Sequence, residues 1–449
     1  MIITNARVVT FDGANRVLDS GSVGIRENGT IGAVRKAGRP LPSDGEVVDA
    51  QGRLLMPALI NCHTHLYSTL ARGIALPGRP PKNFAEILRK LWWRLDCALN
   101  EEDVYYSALV GLIDSAKNGV GTLIDHHSSP NACAGSLDRI EQAFREVGLR
   151  GALCYETSDR NGARKAEEAI GENVRFIERV GKQERSAGGT ACPTLASDGM
   201  IGASFGLHAS FTLSDRTLRR CVEAKPPGSG FHIHVAEDAC DASAVQRLAK
   251  FGVLGERTLA AHCLHVTARD MATLARDRVH VIHNPESNCN NAVGMAKLVE
   301  LMRRGVPAGL GSDGYTPRMW DEFKTAFHVQ KLRTGDPRVG YAEAYAAAFP
   351  NNRAIVGKVW GMDLGRIASG AKADLILVDY FPPTPLRRDN LFGHLLFGIS
   401  NAPIDALMVN GRFIVRNRQC LTVDERAVAE KASAQAQSLW RRFETSCKR

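Results

Sequence analysis

Between residues 56 and 364 the chain alternates short apolar runs with helix-length segments, and nearly every run carries a histidine or a carboxylate at or near its end. Seven runs, GVGTLIDH, RGALCYE, ASFGLHA, GFHIHVAE, TLAAHC, VHVIHN and PAGLGSD, follow LMPALINCH and make eight candidate strands. Strict βα alternation of this kind buries strands between helices and suits a closed parallel barrel, whose chemistry sits at the C-terminal ends of the strands. A doubly wound parallel sheet is the competing arrangement.

The flanks have a different texture. Residues 1–55 alternate short β-branched or apolar runs with turn residues, and β texture returns after residue 365 in Lys372–Asp379 and Ala406–Val415, followed by a helix-like tail over 424–449. A few short strands alone cannot bury a stable core, so the two flanks are expected to pair with each other. The chain thus divides into 1–55, 56–364 and 365–449, with one large barrel bracketed by two β segments.

Composition narrows the classes. Of 449 residues, 44% are hydrophobic, which excludes low-complexity disorder, and no uncharged apolar run approaches the ~20 residues that span a bilayer. The start MIITNARVVTFDG reads as a strand and not as a secretory signal. Eleven cysteines without a C-x-x-C pair fit reduced thiols better than a disulfide framework, so a soluble, cytoplasmic protein is expected. The net charge of +9 is spread over short, separated basic pairs and gives little support to nucleic-acid binding.

The histidines carry the chemistry. His63-Thr-His65 closes the first run, and alternate residues of a strand share a face, so two imidazoles point to one place. His234-Val-Ala-Glu237 adds an imidazole and an overhanging carboxylate, and Gly311-Ser-Asp313-Gly314 closes the eighth run with a residue able to bind metal and accept a proton from water. Taken singly, an H-x-H in a loop, a helix-capping Glu and an Asp-Gly turn would account for these motifs. Three histidines and an aspartate from the first, fifth and eighth strands leave an open position for water, as a catalytic metal site requires. His262 and His283 end the sixth and seventh strands and would face the same centre.

With these motifs together, the sequence resembles the amidohydrolase superfamily, in its cytosine deaminase and chlorohydrolase-like branch, through MPALINCHTH, HIHVAE, AHC, HNPESN and GLGSDG. KLWWRLD, IDHHSSP, ETSDRNG, HNPESNCNN and TPLRRDNLFGHLLFG are similar to aminohydrolases of the SsnA type. The resemblance runs nearly end to end. It implies a distorted (β/α)8 TIM barrel with a small β-sandwich built from both chain ends, and the metal set His63, His65, His234 and Asp313. Some superfamily members carry two metals bridged by a carboxylated lysine after strand four; here that end reads Phe205-Gly-Leu-His208 and has no lysine, which favours one divalent ion per chain, zinc first, with iron or manganese as the alternatives. His262 is then free to orient water. His208 matches a substrate contact of related deaminases, and His126, His127, Asp159 and His283 are further candidates for that role. Ala58 stands where relatives usually have Gly, which restricts that turn to negative φ.

The implied reaction is hydrolytic, with Asp313 as proton acceptor, Glu237 as the acid that protonates a ring nitrogen and His262 as the group that holds the attacking oxygen. Deamination of a purine-like heterocycle is the leading expectation, with Phe84, Trp92 and Trp93 as stacking candidates, although LWWRL also reads as an amphipathic helix packed into the core. Ring-opening of a cyclic amide uses the same chemistry. A non-catalytic metal- or ligand-binding accessory protein is a separate class, and the intact Glu237 and Asp313 weigh against it. The expected partner is a small heterocycle, with neither nucleic acid nor membrane, and relatives are often homodimers.

Overall fold

The computed structural model describes residues 1–38, 45–185 and 194–445. The N-terminal flank forms β1 (Ile2–Val9), β2 (Val17–Ile25), β3 (Ile31–Lys36), β4 (Val47–Asp49) and β5 (Leu54–Pro57). The middle of the chain supplies β6 (Leu59–Thr64), β7 (Val120–His127), β8 (Arg150–Tyr155), β9 (Ile201–Ala203), β10 (Phe205–Ala209), β11 (Phe231–Val235), β12 (Leu259–His262), β13 (His280–His283) and β14 (Ala308–Leu310). The C-terminal flank adds β15 (Leu375–Val378), β16 (Ile404–Val409), β17 (Arg412–Arg416), β18 (Gln419–Cys420) and a helix over Glu425–Thr445. The last four residues of the expected tail lie outside the described residues.

All pairs in the middle are parallel, in two sheets ordered β6-β7-β8-β9 and β10-β11-β12-β13-β14. Two single parallel bridges join the sheets, Thr64 of β6 to Asp313 beyond β14, and Thr157, just past β8, to Leu207 of β10. The fourth expected strand is broken at Ser204: β9 stays with β8, while β10 passes to β11. Period-two alternation sorts the side chains. Leu59, Leu123, Leu153, Ala260 and Val281 join the large cluster formed with the surrounding helices. Their neighbours Ile60, Ile124, Ala152, Leu259 and Ile282 gather instead around Ile355, Val359 and Trp360 of the helix Asn352–Trp360. From that helix Asn352 donates through Nδ2 to the carbonyls of Ile60 (2.8 Å) and Leu310 (3.0 Å), tying the first strand of this region to the last.

The LMPALINCH run, expected as one strand, divides at Ala58. Residues Leu54–Pro57 pair with β1 and, antiparallel, with β15, whereas Leu59–Thr64 pair with β7. Ala58 adopts no positive φ and is buried, and a side chain on Gly121 would come within 2.9 Å of the Ala58 methyl. The alanine is accommodated because the facing strand carries a glycine. Both flanks build a single nine-stranded sheet, β18-β17-β16-β15-β5-β1-β2-β3, with β4 beside β1. Its separate apolar cluster joins Ile3, Val23 and Leu55 to Leu375, Leu377 and Met408, so neither flank completes its core without the other. Among the described residues no helix is long and apolar enough to cross a membrane.

Candidate metal centre and substrate cavity

The C-terminal ends of the parallel strands converge on one cluster. His63 and His65 sit at the end of β6, and His234 on β11 faces them, with His65 Nε2 3.1 Å from His234 Nε2. Asp313, just past β14, brings Oδ1 to 3.0 Å from His65 Nε2 and 3.6 Å from His63 Nε2. One donor atom each from His63, His234, His262 and Asp313 lies within 4.8 Å of the others, and the same holds for His63, His65, His126 and His234. His63 Nε2 and His262 Nε2 are buried and have no hydrogen-bond partner. Orphaned imidazole nitrogens facing a carboxylate are costly unless a cation joins them, so this donor set fits a divalent metal.

Electrostatics point the same way. Burial opposes charge on His65, but Asp313, Glu156 and Asp125 lift its pKa to about 9, a measure of how strongly this place attracts positive charge. Asp313 is held well below the usual carboxylate range: burial works to raise it, and the contacts with His63 and His65 outweigh that. Glu237 goes in the opposite direction, pushed up by burial and by the charge on Asp313, which favours the protonated form that can donate.

Several side chains are turned over the strand ends by left-handed backbone. Ala236 (φ 47°), His262 (φ 74°), Cys263 (φ 52°) and Asp313 (φ 58°) all lie there, a conformation that favours glycine and recurs at functional sites. His262 Nε2 thereby comes 3.4 Å from Glu237 Oε2 and 3.8 Å from Asp313 Oδ2. Its Nδ1 is 2.8 Å from Asn288 Oδ1. An amide oxygen accepts only, so the proton sits on Nδ1 and Nε2 is left bare. Asn288→Leu should therefore cut turnover by about tenfold, the worth of one buried hydrogen bond, with metal content unchanged. Steady-state kinetics beside metal analysis checks this.

A cavity opens over the cluster, lined by His65, His234, Glu237 and Asp313 on its floor and by Phe84, Trp92, Trp93 and His208 on its walls. Trp92 and Trp93 satisfy both readings of LWWRL: they line the cavity and pack on the cluster of Phe84, Leu88 and Leu264. A wide π turn over Leu88–Trp92 precedes Trp93, a distortion often found at binding sites.

The expected substrate contacts divide. His208 lines the cavity, but His127 and His283 do not and are fully buried behind it. His127 is occupied with Ser129 Oγ at 2.8 Å and packed on Tyr67 and Tyr155. His283 lies deep at the end of β13, with neither ring nitrogen partnered. Asp159 accepts from Ser214 N and Thr217 Oγ1 at the start of the helix Asp215–Ala224, so it stabilises a helix end. His126 lies beneath the ligands, with its carbonyl accepting from His65 Nδ1.

Other groups carry no signal in motif spacing. Arg160 is paired with Asp96 at 3.0 Å, approaches Glu156 at 3.9 Å and covers the Trp93 ring at 5.1 Å. Ser287 donates to Asp313 Oδ2. ETSDRNG and KLWWRLD contain four of these residues, but only the fold brings the two segments together.

The profile of the amidohydrolase family matches residues 54–414. A 5-methylthioadenosine/S-adenosylhomocysteine deaminase of Pelotomaculum thermopropionicum is 32% identical, over 97% of this chain and 98% of its own. A 5'-deoxyadenosine deaminase of Methanosarcina acetivorans is 30% identical, over 98% of each. Among solved structures, a zinc-bound adenosine deaminase from Xanthomonas campestris superposes with a TM-score of 0.80 at 22% identity, covering 99% of this chain and 98% of the other. The zinc complex of atrazine chlorohydrolase TrzN from Arthrobacter aurescens gives 0.80 at 19% identity, covering 97% and 99%. At such identities these two likenesses speak to the fold.

Proposed function

Since the chain belongs to the amidohydrolase family, we propose that it is a metal-dependent hydrolase of carbon–nitrogen bonds that deaminates a purine-like nitrogen heterocycle. The observation that carries this reading is the convergence of His63, His65, His234 and Asp313 beneath a cavity with aromatic walls, with Glu237 and His262 beside them. The relatives named as deaminases of adenosine-derived nucleosides support the substrate class.

We take the parallel strands as a distorted (β/α)8 barrel, a reading supported by the two bridges between the sheets and by the likeness to the solved structures. We read the flanks 1–55 and 365–449 as the second, sandwich-like unit around 56–364, with the change of sheet at Ala58 putting the first joint just beyond β5.

His63, His65, His234 and Asp313 would hold one divalent ion, zinc first, which the zinc-bound neighbours support. When bound, that ion supplies a water ionisable near neutral pH. Asp313, kept anionic, accepts a proton from the attacking water. His262 orients the water by accepting a hydrogen bond at its bare Nε2. Glu237, kept protonated, gives its proton to a ring nitrogen as the carbon becomes tetrahedral. The proton held by Asp313 then leaves with the amine as ammonia, the hydroxyl proton of the tetrahedral centre returns to Glu237, and an oxo group stands where the amine was. His208 contacts the bound ring from the wall, whereas His127 and His283, expected beside it, do not line the cavity and take no part in this scheme.

Metal analysis of protein purified without chelator, joined to an ammonia-release screen over adenosine, 5'-deoxyadenosine, 5-methylthioadenosine, S-adenosylhomocysteine and free purines, tests the proposal. About one ion per chain and ammonia from at least one of these compounds are expected. Ring opening without ammonia overturns the deaminase reading, and two tightly held ions per chain overturn the single-metal site.

A further inference from the structure

Behind the candidate ligands lies a buried row of polar groups that the reaction itself does not use. His63 Nδ1 is 2.9 Å from His232 Nε2, and His232 Nδ1 is 3.7 Å from Cys154 Sγ. Cys154 Sγ is in turn 3.5 Å from the main-chain carbonyl of Asp125. His63, His232, Cys154 and Asp125 are all fully buried, so water does not enter to rearrange their protons.

The far end of this row sets its direction. A carbonyl oxygen only accepts, so the thiol proton of Cys154 points to Asp125, and the sulfur turns a lone pair to His232. His232 must then carry its proton on Nδ1 and leave Nε2 as an acceptor. The bond at 2.9 Å is completed only if His63 is protonated on Nδ1, which leaves the His63 Nε2 lone pair bare toward the cluster. His232 is held in register by its own main chain, whose carbonyl accepts from His126 Nε2 at 3.1 Å.

We propose that His232 and Cys154 form a relay of positioning residues that fixes His63 as the Nδ1–H tautomer, so that its Nε2 is already set to receive the metal. The relay rests on the proposed metal site and not on which substrate is deaminated. Its free-state benefit is that His63 arrives with ring orientation and proton both settled, and its effect should appear in metal affinity before any substrate is present.

The test is zinc affinity, measured by chelator competition on the full-length apoprotein. His232→Leu removes the acceptor and should weaken zinc binding by about 10–100-fold, the usual worth of a group that orients a ligand. His232→Gln offers an amide oxygen to the His63 Nδ1–H and should restore affinity to within about threefold. Cys154→Val leaves both imidazoles and removes only the sulfur acceptor, so it should fall between these two, which keeps the test available if His232→Leu does not fold. The visible spectrum of the cobalt-substituted proteins should shift in the same order. Zinc affinity unchanged in His232→Leu or in Cys154→Val overturns the relay, as does an equal loss in His232→Gln and His232→Leu, which would assign the position to packing. An affinity series in the expected order, with no ammonia released from any compound screened, keeps the relay and rejects the deaminase reading. Normal ammonia release with a flat affinity series does the reverse.

Discussion

Glu237→Gln should lower turnover by about 10²-fold or more while leaving the metal bound and the substrate complex intact. The substitution keeps size and hydrogen-bonding reach but removes the transferable proton. Glu237 lies three residues beyond His234, after the left-handed turn at Ala236, and this places its carboxyl beside His262 and outside the group of donors that meet around His63. Because burial and Asp313 both favour the protonated carboxyl, the amide matches that form's charge and the change should fall on kcat rather than KM. Kinetics with a proven substrate, measured beside metal content, decide the matter: near-normal turnover would remove Glu237 from proton transfer and revive the accessory-protein class.

His63→Ala and His234→Ala should each lose most of the bound metal, with an affinity loss beyond the about 10–100-fold typical of a group outside the ligand set. Each removes one of the four proposed donors, and both residues belong to each of the two donor groups that meet there. Both side chains sit at strand ends, and the apolar cluster around Trp360 and Ile355 lies apart from them, so circular dichroism of the two variants should match the parent. Asp313→Asn should differ from both by weakening metal and rate together, since the aspartate is proposed as ligand and proton acceptor at once. Metal contents near the parental value in His63→Ala and His234→Ala would refute the site.

The parts of the site fixed by strand periodicity are legible in the sequence. His63 and His65 converge because alternate residues share a face, and Glu237 and His262 meet because neighbouring parallel strands end at one level. Contacts set by loop conformation are not legible. Asn288 reaches His262 from the helix Pro285–Asn290, and Arg160 meets Asp96 from a segment far away in the chain, neither of which a motif can announce. Histidine at a strand end is an incomplete guide to substrate contact, since it does not tell whether a ring tops the strand, as His208 does, or lies sealed below it, as His127 and His283 do. In the fold, the apolar character of LMPALINCH conceals a change of sheet at Ala58, because Leu55 and Ile60 are equally buried in different cores. The pairing of the flanks follows from the insufficiency of either alone, but its form as one nine-stranded sheet does not.

The joining of the two flanks also governs how the chain can be made. β5 finds its antiparallel neighbour β15 only after about 300 further residues have been synthesised, which at the usual ribosomal pace of about 5–20 residues per second is roughly 15 to 60 seconds. Through that interval Leu54–Pro57 presents an open strand edge and half of an apolar cluster, while the parallel strands downstream are still emerging. Nascent chains stalled before residue 375 should therefore be the species most given to aggregation and most in need of a chaperone, and a stop codon late in the gene would leave the metal-binding residues encoded but the sheet beside them unfinished.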